Sequence, residues 1–239
     1  MKKPVKIILI GIAVIVCLGI ITAIVFYINF RQAIKSMTPA ETGSINDSVW
    51  CIKDRFVNAY IFKAGQNYLM VDAGIGEKDF KKEMEKTGIV PDQITTLLLT
   101  HTDGDHIGAT GLFKNAVIYM HRDEKQMIDG TTSKPNTPKE IWKFGPYKLL
   151  DDNDSLLIGG LKIKILHTPG HTTGSSCYII GNDYLVTGDN LVLTEGKYEH
   201  FIEKFNMNTP QQVESIKSLP DPASFKYILT AHNGINKIK

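Results

Sequence analysis

The sequence predicts an α+β domain in which two β-sheets pack together with helices outside, preceded by one N-terminal transmembrane helix. Three observations predict it. An uncharged apolar run occupies residues 7–28. Two series of short apolar segments follow it, with the length and composition typical of β-strands. A segment of helical period accompanies each series. Periodicity alone indicates a mixed α and β class and does not choose the arrangement of the layers.

The apolar run is long enough to cross a membrane. As a helix, its 22 residues would extend for about 33 Å at roughly 1.5 Å per residue, and a hydrocarbon core is about 30 Å thick. A buried core helix is one alternative, but the run is apolar on all sides. A cleaved signal peptide is another, yet its apolar region is usually about 7–15 residues long, and no small-residue cleavage site follows. We interpret the run as one uncleaved anchor.

Basic residues around the anchor predict its orientation. Three lysines precede it and two basic residues follow it: Lys2, Lys3 and Lys6, then Arg31 and Lys35. Because positive charge tends to stay on the cytoplasmic side, we expect residues 1–6 inside the cell and the domain outside, held at the cell membrane by a single pass. Residues 29–47 are polar without a clear period and are interpreted as a tether. Residues 48–239 are expected to form the folded domain.

The charge distribution does not favour a nucleic-acid-binding surface. The chain has a formal net charge of +2, from 27 basic and 25 acidic residues. Five of the basic residues and none of the acidic ones lie in residues 1–36, which leaves 22 basic against 25 acidic residues in the remainder. We therefore expect no nucleic-acid partner. The composition does not indicate an oligomeric state.

The cysteines do not indicate a thiolate metal site. Cys17 lies in the anchor, whereas Cys51 and Cys177 lie in apolar, strand-like surroundings. A disulfide between the latter two is possible outside the cell, but two separately buried thiols are the favoured interpretation. The sequence contains no Cys-x-x-Cys pair, so zinc bound by thiolates is not expected.

The first series of strands is predicted from apolar segments separated by turn-forming residues. Strands are expected at 49–53, 58–63, 68–72, 95–99 and 116–120. A helix is expected at 77–87, because Phe80 and Met84 lie on one face and Gly88 follows its end. Residues 129–150, which contain many polar residues and prolines, are interpreted as a connector.

The second series contains two hairpin signals. Strands are expected at 155–158, 161–166, 176–180, 184–187 and 225–229. Gly159-Gly160 separates the first two, and Gly181-Asn182-Asp183 separates the next two. A helix is expected at 209–219, with Thr209 as its N-cap and Pro210 at its first position.

The segment His101-Thr102-Asp103-Gly104-Asp105-His106 carries the main functional signal. It places four potential metal ligands within six residues, directly after an apolar strand. Alone it could be a solvated polar loop. Three more candidates each follow an apolar, strand-like segment: His171, Asp189 and His232. A sheet could bring all of these loops to one edge, which a shared metal site requires.

The spacing within this segment favours two metal positions over one. In an extended chain, His101 and Asp103 point to the same side. Asp105 and His106 follow as the chain turns into a helix near Ile107, and adjacent residues point apart. Imidazole and carboxylate ligands suit zinc, and also iron or manganese.

The motif His-x-Asp-x-Asp-His, followed by the isolated His171, Asp189 and His232, resembles that of the metallo-β-lactamase-fold metallohydrolases. Val71-Asp72-Ala73-Gly74 resembles the early strand-end aspartate of the family. The usual motif is His-x-His-x-Asp-His, so Asp103 stands in place of a histidine. The resemblance extends from residue 48 to the C-terminus. It implies a four-layer αββα sandwich, with a metal site at one edge between the sheets.

The resemblance also implies a role for each candidate. It groups His101, Asp103 and His171 around one divalent ion, and Asp105, His106 and His232 around another. Asp189 would bridge the two ions, which we expect to be Zn²⁺, with Fe or Mn possible because Asp103 adds an oxygen ligand. Asp105 would also orient a metal-bound hydroxide that acts as the nucleophile. Asp72 would accept the second N–H of a ligating histidine.

These expectations combine into a membrane-anchored dinuclear hydrolase. Its substrate would be a small molecule with an ester, lactone, thioester, amide or phosphoester bond. One alternative is a non-catalytic membrane module that binds a metal or another ligand. A second is a redox di-iron enzyme, since di-iron relatives of this fold carry an acid at the position of Asp103. Fold alone does not identify the substrate.

Overall fold

A computed structural model describes residues 3–134 and 141–239 of the chain. The chain divides into two compact units, one that ends at Met37 and one that comprises Thr38–Lys239.

The N-terminal unit is a single helix, α1 (Lys3–Ser36). Within it, Ile10–Ser36 is long enough and apolar enough to cross a membrane. The tether was predicted at 29–47 without regular structure. This is corrected for its first eight positions, because α1 continues through them to Ser36. No proline or glycine lies between Ile28 and Ser36, and extending an existing helix costs little. The later part of the predicted tether contributes a short strand at Gly43–Asn46.

In the described residues of the second unit, the first sheet has seven strands in sequential order. The first four strands pair antiparallel with one another. The fourth strand and the three that follow it pair parallel. The strands are β1 (Gly43–Asn46), β2 (Val49–Asp54), β3 (Val57–Ala64), β4 (Asn67–Val71), β5 (Ile94–Leu98), β6 (Val117–His121) and β7 (Tyr147–Leu150). The five predicted strands of this half are confirmed, while β1 and β7 were not predicted.

The second half of the domain contains eight strands in the described part of the chain. They are β8 (Ser155–Ile158), β9 (Leu161–His167), β10 (Ser176–Ile180), β11 (Tyr184–Gly188), β12 (Leu191–Thr194), β13 (Lys197–His200), β14 (Tyr227–Thr230) and β15 (Ile235–Lys237). Six of them form the second sheet, in the order β15-β14-β11-β10-β9-β8. The other two, β12 and β13, pair with each other. Both predicted hairpins are confirmed.

Helices cover the outer faces of both sheets. Phe80 and Met84 of α2 (Glu77–Glu85) pack on the outer face of the first sheet, as predicted. Ile216 of α5 (Thr209–Lys217) packs on the outer face of the second. The remaining helices are single turns, α3 (Gly104–Ile107) and α4 (Lys125–Ile128). The predicted N-cap of α5 is wrong by one residue: the side chain of Asn208 accepts the hydrogen bond from Gln211 N.

A continuous apolar core lies between the sheets and completes the αββα sandwich. Tyr60 and Phe62 of the first sheet pack there with Ile165 and Tyr178 of the second. The Tyr60 hydroxyl donates to Thr230 O at 2.8 Å, and the Tyr178 hydroxyl donates to the Leu99 carbonyl at 2.9 Å. Because each hydroxyl crosses from one sheet to the other, these bonds set the sheets in register beneath the edge that carries the candidate ligands.

The cysteine thiols are all free. Cys51 and Cys177 are buried, and burial raises the pKa of each thiol to about 12. This confirms the favoured interpretation of two separate buried thiols.

Candidate metal centre

The candidate ligands gather where five strands end. Asp72 follows β4, the His101–His106 segment follows β5, and Asp189 follows β11. His171 comes four residues after β9, and His232 comes two residues after β14. Ser176 N donates to Thr100 O at 2.9 Å and so joins the two sheets at this edge. The structure thus brings every candidate of the sequence analysis to one place.

The loop after β5 presents its four candidates in two directions. Asp103 has an extended backbone and caps α3, which begins at Gly104. Asp105 and His106 lie within this single helical turn, which ends at Ile107, the residue near which a helix was expected to begin. The turn is held by Ala73 N, which donates to the His106 carbonyl at 2.7 Å.

Asp72 holds this loop in place through buried hydrogen bonds. It is 2% exposed and has a positive φ of 60°, a conformation that non-glycine residues seldom adopt and that often marks a functional site. Its carboxylate accepts hydrogen bonds from Thr100 N and Thr100 Oγ1, both at 2.8 Å, and from His106 Nδ1 at 2.9 Å. Asp72 therefore lies where a carboxylate that orients a ligating histidine is expected.

The four histidines of the centre share one orientation. Each directs Nδ1 to an oxygen outside the centre. The partners are Thr100 Oγ1 for His101, Asp72 for His106, Asn206 Oδ1 for His171 and the Phe56 carbonyl for His232. Because Thr100 Oγ1 already donates to Asp72, it accepts from His101. These acceptors place the proton on Nδ1, so each Nε2 presents a lone pair to the centre.

The Nε2 atoms and carboxylates form two adjacent sets. In the first set, Asp103 Oδ2 lies 3.5 Å from His101 Nε2 and 3.2 Å from His171 Nε2. In the second set, Asp105 Oδ2 lies 3.9 Å from His106 Nε2 and 3.6 Å from His232 Nε2. These groupings match the two that the resemblance implied.

Asp189 lies between the two sets. Its Oδ1 is 3.3 Å from His106 Nε2 and its Oδ2 is 3.4 Å from His171 Nε2, while His232 Nε2 lies 3.1 Å from Oδ1 and 3.2 Å from Oδ2. Gly188 makes this approach possible. It has a φ of +54°, and a Cβ there would lie 2.3 Å from Thr100 Oγ1, so a larger residue would push Asp189 away.

These contacts fit a metal ion. Two ligands of a tetrahedral zinc at about 2.0–2.1 Å are about 3.3 Å apart, which is close to the separations within each set. His101 Nε2, His106 Nε2 and Asp189 Oδ1 are buried without a hydrogen-bond partner among the described residues. Lone pairs that face carboxylate oxygens in a buried site repel one another unless a cation lies between them.

The pKa shifts of His106 and Asp189 also indicate that positive charge is favourable in the centre. Burial by itself lowers the pKa of His106. The carboxylates of Asp189 and Asp72 raise it more, so the net pKa lies well above the ordinary value. Burial by itself raises the pKa of Asp189, but His232 and His106 hold it well below the ordinary value. Without a metal, the carboxylates therefore attract protons to His106 and His232, whose pKa values are both raised.

Glu124 is a buried carboxylate that the sequence analysis missed. It is 0% exposed and accepts from Thr102 N at 2.8 Å, Thr102 Oγ1 at 2.7 Å, Thr172 Oγ1 at 2.6 Å and Gly174 N at 3.0 Å. Thr102 lies between His101 and Asp103, and Thr172 follows His171. Glu124 thus fastens together the two loops that supply the first set. No motif signals it, because it follows Arg122-Asp123 in a run that looks like solvent-exposed surface.

Two other features of the centre were also missed. Phe201 is 2% exposed, and its ring lies 5.1 Å from that of His232 and 5.8 Å from that of His171; it forms an apolar wall. Lys134, which is 8% exposed, contacts both Asp103 and His171. Lys134 lies in the segment interpreted as a connector, 31 residues from Asp103, so its arrival at the centre depends on the tertiary fold.

A separate group of possible ligands consists of His121, Asp123 and His167. The two imidazole rings stack at 3.8 Å. His121 Nδ1 accepts from Asp123 N, and His167 Nε2 bonds to the Thr173 carbonyl. One nitrogen of each ring is therefore already engaged in structural contacts.

Comparison with known proteins assigns the chain to a family. Residues 52–219 match the model of the metallo-beta-lactamase superfamily. This chain belongs to that superfamily. The resemblance inferred from the motifs is confirmed, and so is the αββα fold class. The match includes every candidate ligand except His232.

Curated relatives of this superfamily member include hydrolases. A protein from Methanocaldococcus jannaschii named "Probable metallo-hydrolase" is 29% identical over 154 residues, which cover 64% of this chain and 64% of that protein. An atrochrysone carboxyl ACP thioesterase from Pseudocercospora fijiensis is 26% identical over 168 residues, which cover 67% of this chain and 44% of that protein. The chain thus spans less than two thirds of the length of these relatives.

Solved structures of metallo-beta-lactamases share the fold. A beta-lactamase from Chitinophaga pinensis has a TM-score of 0.63 at 19% identity, with 82% of this chain and 79% of that chain covered. A class B3 di-zinc metallo-beta-lactamase from an Alaskan soil metagenome has a TM-score of 0.62 at 20% identity, with the same coverage. At this level of identity, the likeness extends to the fold and not to the substrate.

Proposed function

We propose that this superfamily member is a metal-dependent hydrolase with two adjacent metal positions. One observation carries the proposal: histidine Nε2 atoms and carboxylate oxygens from four strand ends face one another across a buried centre, with Asp189 between the two sets. Such a cluster of acceptors needs a cation. Its ligand types suit Zn²⁺, with Fe or Mn as alternatives because Asp103 supplies an oxygen where the usual motif supplies nitrogen.

The residues of the chain have distinct roles in this proposal. When bound, the metal supplies a Lewis acid and makes coordinated water acidic enough to act near neutral pH. Asp189 holds the two positions together through its two oxygens. Asp72 keeps His106 in the tautomer that leaves Nε2 free. Asp105, whose side chain is 25% exposed, is both a ligand and the acid placed to orient the attacking water.

The substrate enters from the side of Asp103 and Asp105, whose side chains are partly exposed. The side chains of Asp103 and Asp105 are 24% and 25% exposed, whereas the four histidines are at most 2% exposed. The centre is therefore open on one side to a small molecule. We propose a substrate with an ester, lactone, thioester, amide or phosphoester bond. The thioesterase among the relatives makes thioesters the first class to test.

Metal analysis of the full chain in detergent tests this function directly. We expect zinc, iron or manganese to copurify with the protein and hydrolysis of one substrate class in a panel of thioesters, lactones, esters, amides and phosphoesters. Chelation should abolish the activity and the same metal should restore it. A protein that takes up no metal would contradict the proposal. Metal without turnover on any member of the panel would favour the non-catalytic binding module.

We further propose that α1 anchors the protein in the cell membrane, with the folded domain outside. The proposal rests on the length and apolar character of Ile10–Ser36 and on the three lysines that precede the apolar run. Protease added to intact spheroplasts is expected to degrade the domain, while a cytoplasmic marker protein stays intact. Complete protection until the cells are lysed would show that the domain faces the cytoplasm. Recovery of the full chain in the soluble fraction would show that α1 is not a membrane anchor.

A further inference from the structure

A lysine ammonium lies within the first ligand set. Lys134 Nζ contacts the Asp103 carboxylate and lies 2.7 Å from His171 Nε2. Both groups were assigned above as ligands of one metal position. A buried ammonium is unfavourable unless acceptors surround it, and Lys134 is 8% exposed. Here the acceptors are the ligands themselves, so the chain places one of its own cations where a metal would bind.

The lysine and a metal compete for the same lone pair. The Nδ1–H of His171 is directed to Asn206 Oδ1 at 3.0 Å, so Nε2 is the only acceptor of that ring. A neutral imidazole has one such lone pair. It can accept a hydrogen bond from Lys134 or coordinate a metal, but it cannot do both. His171 can therefore bind a metal only after Lys134 has moved away.

Asp103 makes this arrangement favourable. A histidine at this position, as in the usual motif, would offer the ammonium a neutral acceptor. The carboxylate of Asp103 instead adds a negative charge and forms an ion pair with Lys134. The second set lacks such a competitor: in the part of the chain that the structure describes, the ion pairs of Asp105 and Asp189 involve histidines only.

We propose that Lys134 is a built-in cation of the first position, and that it makes the two positions unequal. This inference rests on the proposed metal centre. One ion binds tightly to the second set and Asp189, and a second ion binds only when it displaces the lysine from Asp103 and His171. The supply of metal then decides whether the centre contains one ion or two.

Zinc titration of the metal-free full chain in detergent, in competition with a chromophoric chelator, tests the inference. For the unsubstituted protein we expect one tight equivalent and a second that is weaker by at least about tenfold. Lys134→Met keeps an apolar stem of similar length without the charge, and it should tighten the second equivalent by at least about tenfold. Co²⁺ absorption, followed in parallel, should show the second ion entering at lower concentration in this variant.

Two further variants make the result specific. Lys125→Met removes a lysine that pairs with Asp129 outside the centre, and it should leave both affinities unchanged. Asp103→His keeps a ligand but removes the negative partner of Lys134, so it should also tighten the second equivalent. If the unsubstituted protein binds two zinc ions equally tightly and Lys134→Met changes neither affinity, the proposed role of the lysine is wrong. The proposed metal centre would still stand. No zinc in any variant would overturn the metal centre as well.

Discussion

Replacing Asp189 by alanine is expected to remove metal from both positions and to abolish hydrolysis. Among the described candidate ligands, Asp189 contacts both sets: its Oδ1 lies near His106 and His232, and its Oδ2 lies near His171 and His232. A residue that merely supports a ligand contributes about 10–100-fold to metal affinity. We therefore expect the zinc dissociation constants to rise by more than about 100-fold. Elemental analysis after dialysis against a weak chelator measures the loss.

The matched control for this variant is Asp183→Ala. Asp183 precedes the same strand, β11, but its carboxylate is exposed and pairs with Lys226. This control should keep its metal and its activity. Near-ultraviolet circular dichroism would verify that Asp189→Ala still folds. A folded Asp189→Ala protein with full metal occupancy would show that Asp189 does not bridge the two positions.

Replacing Glu124 by alanine is expected to weaken the fold and the metal centre together, although Glu124 touches no ligand atom. The change leaves the backbone donors of Thr102 and Gly174 and the hydroxyls of Thr102 and Thr172 without their acceptor in a buried site. Each unsatisfied buried donor costs about 1–3 kcal/mol. Because water and local rearrangement can satisfy some of them, we expect the free energy of unfolding to fall by roughly 3–5 kcal/mol. Urea unfolding of the metal-free chain measures this loss.

The same variant should bind metal less tightly, because the loops that position His101 and His171 are no longer joined. A loss of about 10–100-fold in zinc affinity is expected, as for other residues that orient ligands. Glu124→Gln retains one oxygen acceptor, so its stability and its zinc affinity should lie between those of the unsubstituted protein and those of Glu124→Ala. Glu214→Ala removes an exposed glutamate that pairs with Lys217 on α5 and should change neither quantity. Unchanged stability and affinity in Glu124→Ala would show that the two loops hold their positions without it.

Elements with a strong local signal could be predicted from the sequence. The strand before His101 contains the apolar run Leu97-Leu98-Leu99, and Phe80 and Met84 have the spacing of a helix face; both were predicted correctly. Strands β1, β12, β13 and β15 have three or four residues, most of them partly or fully exposed. Apart from β12, which is Leu-Val-Leu-Thr, these strands show little hydrophobic pattern. Such short strands depend on hydrogen bonds to neighbours that the local sequence does not specify.

The helix extends past the apolar run to Ser36. The polar residues after Ile28 indicated a tether, and they gave no signal of where the helix ends. Polarity, however, determines where a helix can be buried, whereas a helix ends where a breaking residue or a cap interrupts it. In this chain the first such residue after the apolar run is Pro39.

The sequence by itself identified the candidate ligands of the centre. Their residue types, their places after apolar segments and the spacing within His101–His106 favoured two metal positions, and the family resemblance supplied the two ligand sets and the shared Asp189. Only the tertiary structure decided what surrounds them. Glu124 fastens loops separated by about 70 residues along the chain, and Lys134 reaches His171 from 37 positions away. Such contacts depend on how two sheets pack, since a buried charge is recognisable only from the partners that the fold brings to it.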